Sequence, residues 1–187
     1  MPWPPETVDD LGDVVLRRWA DTHVPALTVA VVESLDHLQP WMVWATPEGA
    51  TEEAFYRFRA DADARAADGS EAVYGIFDRA TGAVLGGVGL HDRVGPGGVE
   101  VGYWLHVRAT GRGLMARIVG HLTDLALSQE DVLWVEIRCD EANVASAGVP
   151  RRLGFRLVDV IASDRDQAPA CSGREMVWIR TEPIGQG

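Results

Sequence analysis

A short segment near the middle of the chain has the residue types and spacing to bind a polyphosphate. Its arginines are Arg108, Arg112 and Arg117, and its glycines are Gly111 and Gly113. The N–H groups in the first turn of a helix have no partner inside the helix, and the helix dipole adds partial positive charge there. Glycines let the backbone approach a bulky anion, and arginines add charge where it would lie. The segment therefore predicts a polyphosphate site built mainly from main-chain amides.

The elements on either side of this segment suit such a site. Val99 to Val107 reads as a strand that leads into it. A helix from Gly111 to about Ser128 follows, because apolar residues recur at helical spacing from Leu114 to Leu125. A strand, a glycine-bearing turn and a helix start together form the geometry that holds a phosphate group.

The rest of the chain reads as a mixture of strands and helices, which predicts an α/β (α+β) fold. Residues 1–12, rich in proline and acid, read as a loose arm, and Asp164 to Gly173 reads as a long polar loop. Further strands are predicted at Val14–Arg18, Val73–Asp78, Val84–His91, Leu133–Arg138, Phe155–Ser163 and Glu175–Arg180. Further helices are predicted at Pro25–Leu38, from an N-cap at Thr51 to Gly69, and at Ala145–Leu153.

Composition limits the class of protein. The chain has 187 residues and a formal charge of 17 − 28 = −11. This size fits a single domain, 1–187, and the charge would repel nucleic acid and anionic membranes. No segment resembles a transmembrane helix or a secretory signal. The two cysteines, Cys139 and Cys171, indicate no disulfide framework and fit a reducing cytosol. We therefore expect a cytoplasmic protein that binds neither nucleic acid nor membranes.

Motifs on both sides of the polyphosphate segment extend the pattern. Glu100-Val-Gly-Tyr-Trp-Leu105 precedes the Arg-x-x-Gly-x-Gly segment, and Asn143-Val-Ala-Ser146 and Arg152-Leu-Gly-Phe155 follow it. In this order and spacing the chain resembles the GNAT acetyltransferase superfamily. It resembles in particular the RimJ/RimL-type branch, whose best-known members acetylate the N-termini of ribosomal proteins. The resemblance implies a GNAT fold with one mixed, mostly antiparallel sheet of about seven strands, about four flanking helices, and central strands that splay at the cofactor site.

The resemblance also implies acetyl-coenzyme A as co-substrate. The backbone of residues 105–107 would pair with the pantetheine arm, and the amides of residues 111–115 would hold the pyrophosphate. Asn143 would contact the pantetheine arm, although capping the following helix is its alternative role. No Cys/His cluster is present, so we expect no metal. The predicted cofactor-binding residues are Leu105, His106, Val107, Arg108, Gly111, Arg112, Gly113, Leu114, Met115, Asn143 and Ser146.

Two residues are candidates for the chemistry of direct acetyl transfer from a thioester to an amine. Glu100, at the start of a strand, would be the general base, and its alternative is a solvated glutamate. Ser146 would lie near the thioester sulfur and protonate the departing thiolate, with helix capping as its alternative. His91 and His106 titrate near neutrality but read more readily as packing, as does Tyr103.

The acceptor amine must be neutral to attack. At pH 7 an α-amine with a pKa near 7.8 is roughly 10–20% neutral, whereas a lysine is below about 0.1% neutral. A site without a powerful base therefore favours α-amines or small amines of low pKa. The segment from His37 to Trp44 resembles a tryptophan-bearing segment of the RimJ/RimL-type branch. Trp41 and Trp44 would wall the acceptor pocket, with burial of the first helix as their alternative.

These observations predict an acetyl-coenzyme A-dependent N-acetyltransferase whose acceptor is a protein or peptide N-terminal α-amine. Two alternatives stay open. One is acetylation of a small amine, such as an aminoglycoside, polyamine or amino acid derivative. The other is a coenzyme A-binding sensor or interaction module without turnover. Dimers occur among the proteins that the chain resembles, which leaves a homodimer open.

Overall fold

The computed structural model describes residues 4–185, which build one eight-stranded sheet in the order β1-β2-β3-β4-β5-β6-β8-β7. Neighbouring strands are antiparallel except β5 and β6, which are parallel. The strands are β1 (Thr7–Leu11), β2 (Val14–Arg18), β3 (Glu71–Asp78), β4 (Val84–His91), β5 (Gly98–Leu105), β6 (Trp134–Asp140), β7 (Arg156–Ala162) and β8 (Arg174–Arg180). The α-helices are α1 (Val24–Val32), α2 (Leu35–Leu38), α3 (Glu52–Ala67), α4 (Leu114–Leu127) and α5 (Val144–Arg152).

This architecture confirms the predicted mixed, mostly antiparallel sheet. Within residues 4–185 the sheet has eight strands where about seven were predicted, and there are five α-helices where about four were predicted. None of the helices in this part of the chain is both long enough and apolar enough to cross a membrane.

Two clusters of buried apolar side chains cover the two faces of the sheet. Leu16 and Ile76 belong to one cluster, together with the buried face of α4. Their sequence neighbours Val15 and Phe77 belong to the other, together with residues of α1 and α3. Because successive side chains of a strand point to opposite faces, the two clusters must lie on opposite sides of the sheet. The strands between them are therefore held from both sides.

The prediction of a loose arm over residues 1–12 is wrong for the part that forms β1. Val8 and Leu11 are each 4% exposed, and β1 pairs with β2 from Thr7 opposite Arg17. The Tyr74 hydroxyl also donates to Pro5 O at 2.6 Å. Prolines and acids dominate the composition of this segment and hide two apolar residues that the sheet buries. Residues 1–3 of the predicted arm lie outside the described residues.

The helix predicted over Pro25–Leu38 is two helices, because the chain bends at Ser34. The Ser34 hydroxyl donates to Ala30 O at 2.8 Å and accepts from the Val107 N–H at 3.1 Å. A serine hydroxyl that bonds to nearby backbone competes with regular helix geometry. The break therefore ties the end of α1 to the turn that follows β5. The predicted cap of α3 is confirmed, since Thr51 Oγ1 accepts from Ala54 N at 3.2 Å.

The two central strands separate partway along their length. β5 and β6 pair only from Gly98 opposite Trp134 to Glu100 opposite Glu136. Beyond Glu100, β5 continues to pair with β4 on its other side, and β6 continues to pair with β8. The predicted splay of the central strands is thus confirmed, and the gap between them opens the functional site.

Candidate active site between the splayed strands

A cavity of about 970 Å³ opens at this gap. β4, β5 and β6 form its floor, the segment after α2 and the start of α3 form one wall, and the loop before β8 forms another. That loop is held down at two points. Ala170 N donates to Pro40 O at 2.9 Å, and Arg165 reaches Glu100 at the floor of the cavity. The site is therefore enclosed by elements that are far apart in the sequence.

The junction between β5 and α4 carries unsatisfied main-chain donors. Among residues 4–185, none accepts a hydrogen bond from the N–H groups of residues 111–116, whereas Arg117 N donates to Gly113 O. Gly111 and Gly113 have φ of +74° and +72°, a region that residues with a side chain rarely adopt. A Cβ built at either glycine meets nothing within 4 Å. The loop therefore presents a row of free amides to open space, as a pyrophosphate requires.

The three arginines of this segment have different surroundings. Arg108 pairs with Glu33 at 3.3 Å, and Arg117 pairs with Asp13. Arg112 is exposed and makes no ion pair with any residue in the described range 4–185. Arg112 is thus the arginine whose charge is available to a phosphate group.

Of the three residues predicted to pair with the pantetheine arm, only Leu105 has a backbone turned toward the gap. His106 N donates to Leu85 O on β4 at 2.8 Å, and Val107 N donates to Ser34 Oγ at 3.1 Å. Because the backbone groups of alternate residues face opposite neighbours, Leu105 and Tyr103 turn theirs away from β4 and toward β6. The predicted backbone pairing therefore fits Leu105, and the backbone of Tyr103 faces the gap in the same way. The amides of His106 and Val107 support the turn instead.

Asn143 and Ser146 stand at the start of α5 and line the cavity. Asn143 Oδ1 accepts from Ser146 N at 3.0 Å, so Asn143 caps the helix. The Ser146 hydroxyl donates to the Tyr103 hydroxyl oxygen at 3.3 Å, and the Tyr103 hydroxyl donates to Ser146 O at 3.1 Å.

Burial keeps two of these groups protonated. It raises the pKa of Tyr103 above the usual value for a phenol. It also raises the pKa of Cys139 to about 11. A protonated phenol and a protonated hydroxyl in contact are proton donors, whereas a thiol with so high a pKa is a poor nucleophile. Tyr103, read as packing from the sequence, therefore belongs to the site.

Glu100 lies at the point where β5 and β6 part, and both of its carboxylate oxygens are occupied. Arg93 donates to them at 2.7 and 2.8 Å, and Arg165 at 2.9 and 3.1 Å. Burial alone would raise the pKa of Glu100, but the hydrogen bonds and charges of the two arginines outweigh it and lower that pKa to about 2. A carboxylate with this pKa and four hydrogen bonds accepts protons poorly at neutral pH. The geometry thus disfavours the predicted role of Glu100 as general base.

The two tryptophans predicted for the acceptor pocket line the same cavity on its apolar side. Trp44 is 40% exposed, and its ring meets that of Trp104 edge to face at 5.9 Å. Trp41 is partly buried in the turn after α2. Phe55 and Phe58 of α3 line this side as well. The cavity is thus lined by aromatic side chains from the segment after α2 and from α3, and by charged side chains from the loop before β8.

Each of the two histidines considered from the sequence lies beside a glutamate. His91 Nδ1 lies 2.9 Å from Glu71, and His106 Nε2 lies 3.1 Å from Glu33. His106 Nδ1 also accepts from Arg108 N at 3.1 Å. Both rings therefore hold elements together around the site. Within residues 4–185, His, Cys, Asp and Glu side chains form no group of three or more that would hold a metal ion.

The family model described as an acetyltransferase (GNAT) domain matches residues 13–156, more than half of the chain. The chain therefore belongs to the GNAT acetyltransferase family, which confirms the predicted family and the predicted class of enzyme. Enzymes of this family use acetyl-coenzyme A as acyl donor, as predicted. Among curated proteins, none matches the sequence.

Solved structures share the fold at low sequence identity. RimL, a ribosomal L7/L12 α-N-protein acetyltransferase in complex with coenzyme A, is 21% identical with a TM-score of 0.84, over 96% of this chain and 100% of its own. RimJ of Mycobacterium smegmatis, in complex with a coenzyme A disulfide, is 18% identical with a TM-score of 0.83, over 96% and 88%. The microcin C7 self-immunity acetyltransferase MccE, with acetyl-CoA and AMP, is 15% identical with a TM-score of 0.82, over 91% and 93%.

Proposed function

We propose that this protein transfers an acetyl group from acetyl-coenzyme A directly to a primary amine, and that the natural acceptor is the α-amine of a protein or peptide N-terminus. One observation carries the proposal. A row of amides at residues 111–116, unbonded within residues 4–185, adjoins a strand gap that leads into a cavity with paired hydroxyl donors. A long cofactor with a diphosphate at one end and a thioester at the other fits these features in order.

The residues divide the work along the length of the cofactor. The amides of residues 111–115 and the Arg112 side chain would hold the pyrophosphate, and the backbone of Tyr103 and Leu105 would pair with the pantetheine arm. Asn143 would act from the cavity wall by fixing the start of α5 beneath that arm. When bound, acetyl-coenzyme A supplies an acyl group activated as a thioester. The hydroxyls of Ser146 and Tyr103 would then provide the proton for the departing sulfur.

The aromatic wall supports an acceptor with an apolar group next to its amine. Trp41 and Trp44 would contact that group, and tryptophan faces attract a cationic amine through their quadrupole. The RimL relative supports a protein N-terminus, because its name describes action on the N-terminus of ribosomal protein L7/L12. The MccE relative makes a small amine the competing acceptor class.

A thiol-release assay with a matched amine panel tests this proposal. Purified protein and acetyl-coenzyme A are incubated with short peptides that have a free N-terminus, with the same peptides after N-terminal blocking, and with a polyamine and an aminoglycoside. Release with the free peptides and not with their blocked forms is the expected result. Thiol release with the small amines alone would show that the acceptor is a small amine and not a protein or peptide N-terminus. No release with any amine, together with tight coenzyme A binding, would indicate a sensor module.

Removing either hydroxyl of the pair is expected to slow turnover. Ser146→Ala and Tyr103→Phe should each lower kcat about 100-fold, the low end of the usual contribution of a general acid. Because the two hydroxyls act through one hydrogen bond, the double variant should be little slower than either single variant. Tyr56→Phe is the matched control, since Tyr56 is 41% exposed on α3. Full kcat in both single variants would show that solvent protonates the sulfur instead.

A further inference from the structure

The cavity contains a second buried carboxylate, Glu175, at the start of β8, and no step has yet been assigned to it. Glu175 is 8% exposed and lines the cavity wall beneath the loop before β8. We propose that Glu175 binds the ammonium group of the acceptor and takes its proton as the general base. This assignment rests on the proposed function and names the base for it.

The hydrogen bonding of Glu175 is incomplete. Its Oε2 is fully buried and has no hydrogen-bond partner within residues 4–185. Its Oε1 lies 3.7 Å from Arg165 Nε, which is too far for a hydrogen bond. A buried carboxylate oxygen without a donor is costly, and native proteins rarely leave one without a purpose. A ligand that brings N–H donors and positive charge would satisfy it.

Glu175 and Glu100 face one cavity but have opposite surroundings. The four hydrogen bonds from Arg93 and Arg165 saturate Glu100, so it has no capacity left for a substrate. Both Nη atoms of Arg165 donate hydrogen bonds to Glu100, and only its Nε lies toward Glu175. The loop arginine therefore lies near Glu175 without a hydrogen bond to it. Of the two carboxylates, Glu175 is the one that has an oxygen without a hydrogen-bond donor in residues 4–185.

The sheet places Glu175 beside the expected reaction centre. In the pairing of β6 with β8, Glu175 lies opposite Asp140, and the next pair is Met176 opposite Cys139. Residues directly opposite in an antiparallel pair have Cα atoms about 4.5–5.5 Å apart. Cys139 and Ser146, the predicted proton donor to sulfur, line the same cavity as Glu175. Because successive side chains of a strand point to opposite faces, Glu175 and Cys139 approach this cavity from opposite faces of the sheet.

The groups around Glu175 leave it as a hydrogen-bond acceptor. Asp140 is already occupied by donors from Ala142, Ser172 and Gly173, and on β7 the apolar Ile161 lies opposite Glu175. The titratable and charged groups near Glu175 in the cavity include Arg165 and Cys171 on the loop, Arg138, Cys139 and Asp140 on β6, and Glu100 on β5.

The proposed step balances in protons and electron pairs. The acceptor ammonium gives one proton to Glu175, and the freed lone pair forms the C–N bond as the C–S bond breaks with its electron pair on sulfur. The nitrogen loses a second proton as the amide forms, the sulfur gains one, and Glu175 releases its own to solvent. The products are the amide, the free thiol and one proton.

The test is the pH dependence of kcat/KM for Glu175→Gln, measured with the best free-amine peptide of the panel. At pH 7 the variant should be about 100-fold slower, as expected for loss of a general base. The acidic limb of the variant's pH profile should shift to higher pH, toward the pKa of the free α-amine near 7.8, because only amine that is already neutral can react. Above that pH the deficit should shrink, a change that a merely structural role would not produce.

Two further measurements keep the outcome decisive. Glu141→Gln removes the same charge just outside the cavity, where Glu141 pairs with Arg174 at 3.2 Å, and should leave the profile unchanged. The affinity of Glu175→Gln for coenzyme A should match that of the wild type, which would show that the variant folds. If it does not fold, Glu175→Asp is the second variant. It should lower kcat and retain the acidic limb of the wild-type pH profile. If Glu175→Gln kept the wild-type pH dependence of kcat/KM, or if Glu175→Asp kept the wild-type kcat, the assignment of Glu175 would be overturned while the proposed function would stand. If the wild-type protein released thiol with none of the amines in the panel, both the proposed function and the assignment of Glu175 would be overturned.

Discussion

Gly113→Val is expected to weaken coenzyme A binding about 1,000-fold while the protein stays folded. The Cβ of the new side chain would project into the open space in front of the free amides of the loop. Hydrogen bonds to a charged group contribute about 1.5–3 kcal/mol each, so the loss of two amounts to about 4 kcal/mol, or about three factors of ten. Isothermal titration with coenzyme A gives the affinity directly and needs no acceptor.

Gly69→Val is the matched control for the backbone strain. Gly69 follows α3, has φ of +79° and likewise has nothing within 4 Å of a built Cβ. Both variants should lose about 1–2 kcal/mol of unfolding free energy, because valine is forced into the left-handed region. Only Gly113→Val should lose cofactor affinity. Wild-type affinity in Gly113→Val would mean that the diphosphate does not lie against this loop.

Glu100→Gln is expected to lower the free energy of unfolding by about 3 kcal/mol at pH 7. The change leaves two arginines facing a neutral amide, and removal of one partner from a buried pair costs about 3–5 kcal/mol. We take the lower end, since the side chains of Arg93 and Arg165 are 48% and 37% exposed and therefore partly screened by solvent. Urea unfolding followed by circular dichroism measures the difference. Glu53→Gln, which breaks the exposed pair with Arg57, should change stability by less than about 0.5 kcal/mol.

The same measurement at lower pH gives the sign of the linkage. The pKa of Glu100 is about 2 in the folded protein and near 4.5 in an unfolded chain, so the folded state holds the proton less tightly. The stabilisation is therefore complete above about pH 4.5 and is lost as the pH falls toward 2. The difference in unfolding free energy between wild type and Glu100→Gln should therefore decrease as the pH falls from 4.5 toward 2. A gap of constant size down to pH 3 would contradict the ion-pair account of Glu100.

The sequence predicted the elements whose signals are local. The apolar spacing of α4, the cap at Thr51 and the glycines at 111 and 113 each act within a few residues, and the structure bears out the helix, the cap and the free amides. The start of α5 was predicted in the same way. These features needed no knowledge of distant partners, because capping and helix periodicity are short-range effects.

The charged half of the site could not be predicted, because it depends on contacts across the fold. Arg165 lies 65 residues from Glu100 and reaches it because the loop before β8 lies over the cavity. In the sequence that loop is polar and irregular, with no periodicity to interpret. Glu100 alone therefore looked like a free base. Tyr103 was read as packing for the same reason, since its partner Ser146 lies 43 residues away.

The strand formed by Thr7–Leu11 has a consequence for shortened versions of the chain. It covers the outer edge of β2, whose Val14, Val15 and Leu16 are each at most 3% exposed. A chain that began at Val14 would present an apolar strand with unpaired N–H and C=O groups, which is a template for aggregation. β1 itself carries Asp9 and Asp10, and charges on an edge strand discourage the pairing of one molecule with the next. The acidic residues of β1 thus oppose aggregation of the enzyme, although they lie far from the active site.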